Sequence, residues 1–289
     1  MENNLVIGIG ELLFDVFPTG KKLGGAPVNF AYHVARLGIE SLAVSAVGND
    51  ELGDEIMQIL QQKRIANRVA RIDSPTGTVQ VTLDERGVPN FEICEGVAWD
   101  NIPLSDELVT LAANCRAFCF GTLAQRSEVS RRTINRLLDA IPTDRNVWVI
   151  YDINLRQHFY SKEVIEESMY KSNILKINDD EFKTVVSLLG IPTAEYVQGC
   201  RWLMEKYHLK MVVLTCGEKG SWIYTADESS FMETPQVEVV DTVGAGDSFT
   251  AAFCASLLNG VSLREAHRKA VEIAAFVCTQ AGAMPDYEE

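Results

Sequence analysis

Hydrophobic and polar positions along this chain follow the two periods of an α/β fold. Short apolar runs, of the kind that form buried parallel strands, occur at 5–9, 42–47, 116–120, 147–151, 174–177 and 210–214. Apolar residues at helical spacing follow several of these runs, at 27–37, 51–62, 128–140, 249–258 and 263–279. This alternation predicts a mostly parallel central sheet with helices packed against it. Two later segments, 221–226 and 231–234, predict antiparallel strands.

A strict alternation of apolar and polar residues interrupts this pattern at 76–83. The apolar side chains that share one face there are Val79, Val81 and Leu83. A turn at 84–87 and a returning segment at 88–95 predict an antiparallel hairpin with one apolar face.

Residues 11–22 have the composition of a second short hairpin. We expect a single domain over 1–289, from which a small sheet formed by about 11–24 and 76–100 projects as a lid. The alternative is that these hairpins extend the edge of the main sheet.

A glycine-containing turn is the strongest candidate for chemistry. Its sequence is Asp241-Thr242-Val243-Gly244-Ala245-Gly246-Asp247-Ser248-Phe249, between the apolar run 237–240 and a helical pattern. We expect an extended or strand segment, a turn and a helix, whose first amides form an anion site. Asp247 lies inside this site. It is either an N-terminal helix cap or a base that takes a proton from a group attacking a phosphate.

A second glycine motif stands near the N-terminus. Gly24 and Gly25 precede Pro27, which suits the first turn of a helix, and Asn29 falls in that turn. The pair either shapes a binding site or only makes room for the helix to pack.

Composition restricts the class of protein. The chain has 289 residues, 47% of them hydrophobic, and a formal charge of -14. This balance disfavours nucleic acid and anionic membranes as partners. No apolar stretch reaches membrane-spanning length, and 1–9 lacks the features of a signal peptide. Seven scattered cysteines without a C-x-x-C motif predict reduced thiols in the cytoplasm. Leu13 stands where the third glycine of a dinucleotide fingerprint would be, and no Walker motif occurs.

Together these segments resemble the ribokinase/PfkB family of carbohydrate kinases. The resemblance rests on the segments 24–31 and 241–249, in this order and with βα units between them, and it covers nearly the whole chain. Smaller matches are Asp152-x-Asn154-x-Arg156, Asn178-x-x-Glu181 and Thr215-x-Gly217-x-x-Gly220. The segments 10–15 and 23–27 are most similar to bacterial fructokinases.

The resemblance implies a ribokinase-like three-layer α/β/α fold and an ATP-dependent sugar kinase, most similar to one that converts fructose to fructose 6-phosphate. Alternatives are another sugar, a sugar acid or a nucleoside as acceptor, or a sugar or nucleotide sensor without catalysis. Asp247 would be the base, and we expect helix amides to keep it ionised at neutral pH. The amides of Gly244, Ala245 and Gly246 would stabilise the transferred phosphoryl group.

The remaining roles also come from the resemblance. The residues implied in sugar binding are Asp15, Gly25, Asn29 and Arg156. Those implied around the nucleotide are Thr215, Gly217, Gly220, Ala275 and Cys278. Asn178 and Glu181 would hold Mg²⁺ through water, and Asp241 would frame a monovalent cation such as K⁺. Several family members form homodimers through the apolar face of the lid sheet.

Overall fold

The computed structural model describes residues 5–18, 20–83 and 89–287. The strands in this part of the chain are β1 (Val6–Ile9), β2 (Leu13–Phe17), β3 (Gly20–Gly24), β4 (Ser41–Gly48), β5 (Asn67–Ile72), β6 (Gly77–Leu83), β7 (Pro89–Ile93), β8 (Ala117–Gly121), β9 (Trp148–Asp152), β10 (Ile174–Asn178), β11 (Met211–Thr215), β12 (Ser221–Thr225) and β13 (Ser229–Met232). The α-helices are α1 (Ala26–Arg36), α2 (Glu51–Gln62), α3 (Asp106–Asn114), α4 (Glu128–Ala140), α5 (Lys162–Tyr170), α6 (Asp179–Leu189), α7 (Tyr196–Tyr207), α8 (Ala245–Leu258) and α9 (Leu263–Cys278).

The large sheet has the strand order β13-β12-β11-β10-β9-β8-β1-β4-β5. Neighbouring strands pair in parallel from β11 through β10, β9, β8, β1 and β4 to β5. Strands β12 and β13 continue the sheet on the β11 side and pair antiparallel. This confirms the predicted mostly parallel sheet and its late antiparallel pair. Because the central strands are parallel, their carboxyl ends meet along one edge, where open α/β sheets bind ligands.

Helices cover both faces of this sheet, which gives the expected three layers. Alternate residues of β1 point to opposite faces, so that Val6 packs in the cluster with α1, α8 and α9, and Ile7 packs in the cluster with α3 to α7. Helix α2 packs beside α1. Within the described part of the chain, no helix combines the length and apolar character needed to cross a bilayer. The seven cysteines are free thiols, and five of them are buried.

The small sheet has the order β3-β2-β6-β7. Both predicted hairpins are confirmed, and β2 joins them by pairing with β6 in parallel. Val79 and Val81 are buried on the face predicted to be apolar. The predicted turn at 84–87 and the Leu83 side chain lie outside the described residues. Since Val79 and Val81 pack inside this chain, the inner part of the apolar face is already covered.

A buried ion pair supports the base of the small sheet. Arg126 donates to both carboxylate oxygens of Asp100, at 2.8 and 3.0 Å, and to the carbonyl of Cys94 just after β7. Its guanidinium lies over the ring of Trp99, which is fully buried. Gly77 gives this ring room, since a Cβ there would lie 2.3 Å from the indole nitrogen. Trp99 is therefore a packing residue.

Some elements differ from the sequence prediction. The apolar run 237–240 forms no strand, and Val239 and Val240 are about 60% exposed (59% and 61%). The edge strand β5 was not predicted, because its arginines interrupt the apolar pattern. The helices α3, α5 and α7 were also not predicted, and α3 and α5 are short, with nine residues each.

Candidate active site

Polar residues of the central strands meet at the carboxyl edge of the large sheet. Glu11 follows β1, Asp152 ends β9, Asn178 ends β10 and Thr215 ends β11. The small sheet faces this edge: Asp15 of β2 and Val79 of β6 are register partners and share the face that points at the main domain. The edge and the sheet enclose the space in which the glycine turn begins α8.

The glycine turn has the geometry of an anion site. Gly244 has a φ of 81° and is the N-cap of α8, with no side chain capping the helix. Within the described residues, the amides of Gly244 and Gly246 meet no acceptor, whereas the amide of Ala245 lies 3.3 Å from the carbonyl of Thr242. A Cβ at Gly244 would lie 2.6 Å from the Cβ of Ala283. Glycine is thus required both by the backbone conformation and by the contact.

Asp247 is the third residue of α8, and its carboxylate does not cap the helix. Its Oδ2 accepts a hydrogen bond of 2.8 Å from Nδ2 of Asn29. Burial, followed by the charge of Asp152, raises the pKa of Asp247 to about 6. Helix amides are therefore not what sets this pKa, because desolvation outweighs the donors. The carboxyl is still mostly ionised at pH 7.

This pKa predicts an acid limb in the activity. A base must be ionised, so kcat/KM should be level at neutral pH and fall about tenfold per pH unit below about 6. The measurement is a profile from about pH 4.5 to about pH 8, with protein stability checked at each value. A profile that stays level down to about pH 5, as the ordinary aspartate value of 3.8 would give, would contradict the effect of burial.

A buried ammonium lies behind the turn, and sequence patterns did not assign it a role. Lys176 on β10 is 8% exposed, and its Nζ is 3.2 Å from Oδ1 of Asp152. Thr250 donates to the other oxygen of Asp152 at 3.1 Å. Burial disfavours the charged form of Lys176 and so lowers its pKa. The neighbouring carboxylates of Asp152, Glu181 and Asp247 outweigh this effect, and the pKa is raised overall. The sequence signal was a lysine inside an otherwise apolar strand.

Lys176 also lies against the anion site. A Cβ at Gly246 would be 3.0 Å from its Nζ. The ammonium therefore lies close beneath the turn, where it partly offsets the carboxylates of Asp152 and Asp247.

The structure brings together the residues implied in sugar binding. Asn29 contacts Asp247 directly, and Gly25 has a φ of 129° where a Cβ would lie 2.4 Å from the carbonyl oxygen of Glu11. Burial raises the pKa of Asp15, and the positive charge of Arg156 lowers it by a smaller amount. Arg156 itself is exposed, with one nitrogen donating to the carbonyl of Leu155. Packing alone explains the need for Gly25, while Asn29 has the position of a functional side chain.

The residues implied around the nucleotide lie on two neighbouring elements. Thr215 ends β11, and the following loop places Gly217 at a φ of 54° and Gly220 at a φ of 108°. Ala275 and Cys278 are partly exposed on α9, and the carbonyl of Cys278 accepts from the amide of Asp241 at 3.3 Å. This contact connects α9 to the start of the glycine turn.

Asn178 and Glu181 form a capping box at the start of α6. The Asn178 Oδ1 accepts from the amides of Asp180 and Glu181. The two Glu181 oxygens accept from the amides of Asn178 and Leu155, both at 2.9 Å. Each Glu181 oxygen keeps one lone pair, which can accept a hydrogen bond from water bound to Mg²⁺. Among the described residues, no cluster of three His, Cys, Asp or Glu could hold a metal ion.

The Asp241 carboxylate already has three donors. Its Oδ1 accepts from the amide of Val243, and its Oδ2 accepts from the amide of Gly282 and from Nζ of Lys22 at 3.1 Å. Although burial works in the opposite direction, these donors lower the pKa of Asp241. A cation that binds Oδ2 of Asp241 would therefore have to compete with the Lys22 ammonium.

Comparisons with known proteins agree with this fold and site. The profile of the pfkB family of carbohydrate kinases matches residues 8–289. An ATP-dependent 6-phosphofructokinase from Thermoanaerobacterium thermosaccharolyticum is 30% identical over 298 residues, covering 97% of this chain and 90% of that protein. Probable fructokinase-2 of Arabidopsis thaliana is 29% identical over 310 residues, covering 97% and 92%. An uncharacterized sugar kinase from Pyrococcus horikoshii, solved in complex with ATP, is 26% identical with a TM-score of 0.80, covering 97% and 94%.

A three-layer fold with a glycine turn beside a buried aspartate defines a class of phosphotransferases that act on an alcohol group. The chain belongs to the pfkB family of carbohydrate kinases. Its acceptor is a sugar hydroxyl.

Proposed function

We propose that this protein transfers the γ-phosphate of ATP to fructose and forms fructose 6-phosphate. The observation that carries the proposal is the placement of Asp247, which is buried, held by Asn29 and located in the first turn of α8 beside the free amides of Gly244 and Gly246. A base and an anion site in one turn suit the attack of a hydroxyl on a phosphoryl group. The likeness of segments 10–15 and 23–27 to fructokinases supports fructose.

In this proposal Asp247 takes the proton of the attacking hydroxyl while the amides of the turn stabilise charge on the phosphoryl group. Asp15, Gly25, Asn29 and Arg156 orient the sugar. The nucleotide lies against Thr215, Gly217 and Gly220, with its base near Ala275 and Cys278; the ATP complex of the Pyrococcus horikoshii relative supports ATP as donor. Bound Mg²⁺ would neutralise phosphate charge, held through water by Glu181 beside the helix cap of Asn178.

A sugar panel with ATP and Mg²⁺ tests the proposal. The panel contains fructose, other ketohexoses, pentoses, sugar acids and ribonucleosides, and it measures ADP release and the phosphorylated product. Fructose should give the highest kcat/KM. Turnover of none of these acceptors would refute the kinase proposal, and ligand binding without turnover would support a sensor.

Fructose 6-phosphate is the second candidate acceptor, because the relative with 30% identity is a 6-phosphofructokinase. Adding fructose 6-phosphate to the panel decides between the two. A higher kcat/KM for fructose 6-phosphate than for fructose would move the proposal to that acceptor.

We further propose that Lys22 governs the response to K⁺. Its ammonium is bound to Asp241 in competition with any cation at Oδ2. The variant Lys22→Met should therefore be activated by K⁺ more strongly than the original protein, when both are titrated with K⁺ against a choline background. Lys183→Met, which removes an exposed ammonium on α6, is the control. Equal K⁺ responses in all three proteins would contradict this role.

We also propose a homodimer through the small sheet and a cytoplasmic location. Phe91 is 48% exposed at the outer end of the apolar face and is the natural centre of such a contact. Sedimentation of the protein and of Phe91→Glu, compared at equal concentrations, tests the dimer.

A further inference from the structure

Glu11 is a buried carboxyl group for which the proposed reaction has no role. It follows β1 after Gly10 and is 4% exposed. Its Oε1 accepts from the amide of Ala26, the first residue of α1, at 3.3 Å. Its Oε2 is also buried and finds no hydrogen-bond partner anywhere in 5–18, 20–83 or 89–287. A buried oxygen without a partner is unfavourable in a native protein unless a water molecule or a ligand supplies the hydrogen bond.

A cavity beside Glu11 shows where such a partner would lie. The cavity measures about 10 Å³, room for the oxygen of one hydroxyl group or one water. The residues that line it include Glu11, Ala26, Asp152, Asn154 and Asp247. Ala26 and Asn154 are partly exposed, so the cavity lies at the boundary between the core and the open site. The base therefore borders the same small space as the unpartnered oxygen.

The neighbouring protein groups do not satisfy Glu11. The Lys176 ammonium and the Thr250 hydroxyl are both bound to Asp152. The Asn29 amide is bound to Asp247, and the Oδ1 of Asn29 is a second buried oxygen without a partner in the described chain. The Glu11 side chain lines the cavity together with Asp247, and the Asn29 side chain contacts Asp247. A molecule with several hydroxyl groups could donate to both.

The charges around the cavity restrict the ligand further. Three carboxyl groups line it, against two cations: the buried ammonium of Lys176, which contacts Asp152, and the exposed guanidinium of Arg156, whose charge acts on Glu11. A phosphate or carboxylate placed there would be repelled, whereas a hydroxyl group can donate to a carboxylate without charge repulsion.

We propose that Glu11 is a further acceptor-binding residue, whose Oε2 hydrogen-bonds one hydroxyl of a neutral sugar other than the hydroxyl that is phosphorylated. This inference rests on the proposed function. It assigns Glu11 to acceptor selection, because an analogue without that hydroxyl would leave the Oε2 atom unpaired.

The test combines substrate and protein changes. Fructose is compared with analogues that each lack one hydroxyl other than the phosphorylated one, using the original protein, Glu11→Ala and Glu11→Gln. In the original protein one analogue should lose roughly 10–100-fold in kcat/KM, the cost of leaving one buried polar group without a hydrogen bond. In Glu11→Ala the kcat/KM of this analogue should be about equal to that of fructose, while the penalties for the other analogues persist. Glu40→Ala, an exposed site outside the cavity, should keep every penalty.

The outcomes separate this inference from the proposed function. If the original protein phosphorylates no sugar, the proposed function fails. If it phosphorylates fructose and Glu11→Ala keeps every penalty unchanged, Glu11 holds only a water molecule and this inference is overturned. If Glu11→Ala does not fold, Glu11→Gln decides, since its carbonyl can still accept from Ala26. A selective change of threefold or more for one analogue then supports the role, and unchanged discrimination overturns it.

Discussion

Replacing Asp247 with asparagine should lower kcat about 10²–10⁴-fold, the usual effect of removing a general base. The amide has the shape of the carboxylate and can still contact Asn29, but it cannot take the proton of the acceptor. Stability should not fall. The pKa of Asp247 is raised to about 6 by burial, so its ionised form is disfavoured by folding at pH 7, and a neutral side chain removes that cost. The measurements are kcat at saturating fructose and ATP, and the midpoint of thermal unfolding.

Asp227→Asn is the matched control, because Asp227 is exposed in the turn between β12 and β13. It should leave kcat unchanged. If Asp247→Asn retained activity within a few-fold of the original protein, the assignment of the base would have to be withdrawn.

Replacing Gly244 with alanine should lower kcat about 10²-fold or more, the effect of losing one donor from an anion site. The substitution places a Cβ 2.6 Å from that of Ala283 and holds alanine at a φ of 81°. The turn must move to relieve this contact, and its free amides then no longer point at one position. The conformational strain alone costs roughly 1–2 kcal/mol.

Gly38→Ala separates strain from function. Gly38 has nearly the same φ, 83°, but a Cβ there would meet nothing within 4 Å. Both variants should lose stability through the backbone, and only Gly244→Ala should lose turnover. Equal kcat values for the two variants would show that the geometry of the turn is unimportant for the reaction.

The sequence predicted those elements whose apolar pattern matched one period. The buried strands β4, β8, β9, β10 and β11 and the helices α2, α4 and α9 were found within a few residues. Strand β5 was missed because an edge strand tolerates charged side chains. The run 237–240, in which Glu238 stands among three valines, forms no strand, because a short valine-rich run has the same pattern whether it is buried or exposed.

The residues of the candidate site were also predicted only in part. Motifs with fixed spacing identified Asp247, the glycine turn and Asn29. They gave no role to Glu11 or Lys176, although Lys176 interrupts an apolar strand. Their significance comes from burial and from neighbours far away in the chain, such as Asp152 for Lys176.

The sequence by itself determined the family, most of the alternating strands and helices, and the turn in which Asp247 lies, because these depend on local periodicity and on residues close together in the chain. The tertiary structure alone decided the electrostatics of that turn. Asn29 and Asp247 are 218 residues apart in the chain and Lys22 and Asp241 are 219 apart, yet each pair is in contact. The pKa of the base depends on desolvation and on charges brought near it by folding, so the raised value could be known only once the chain was folded.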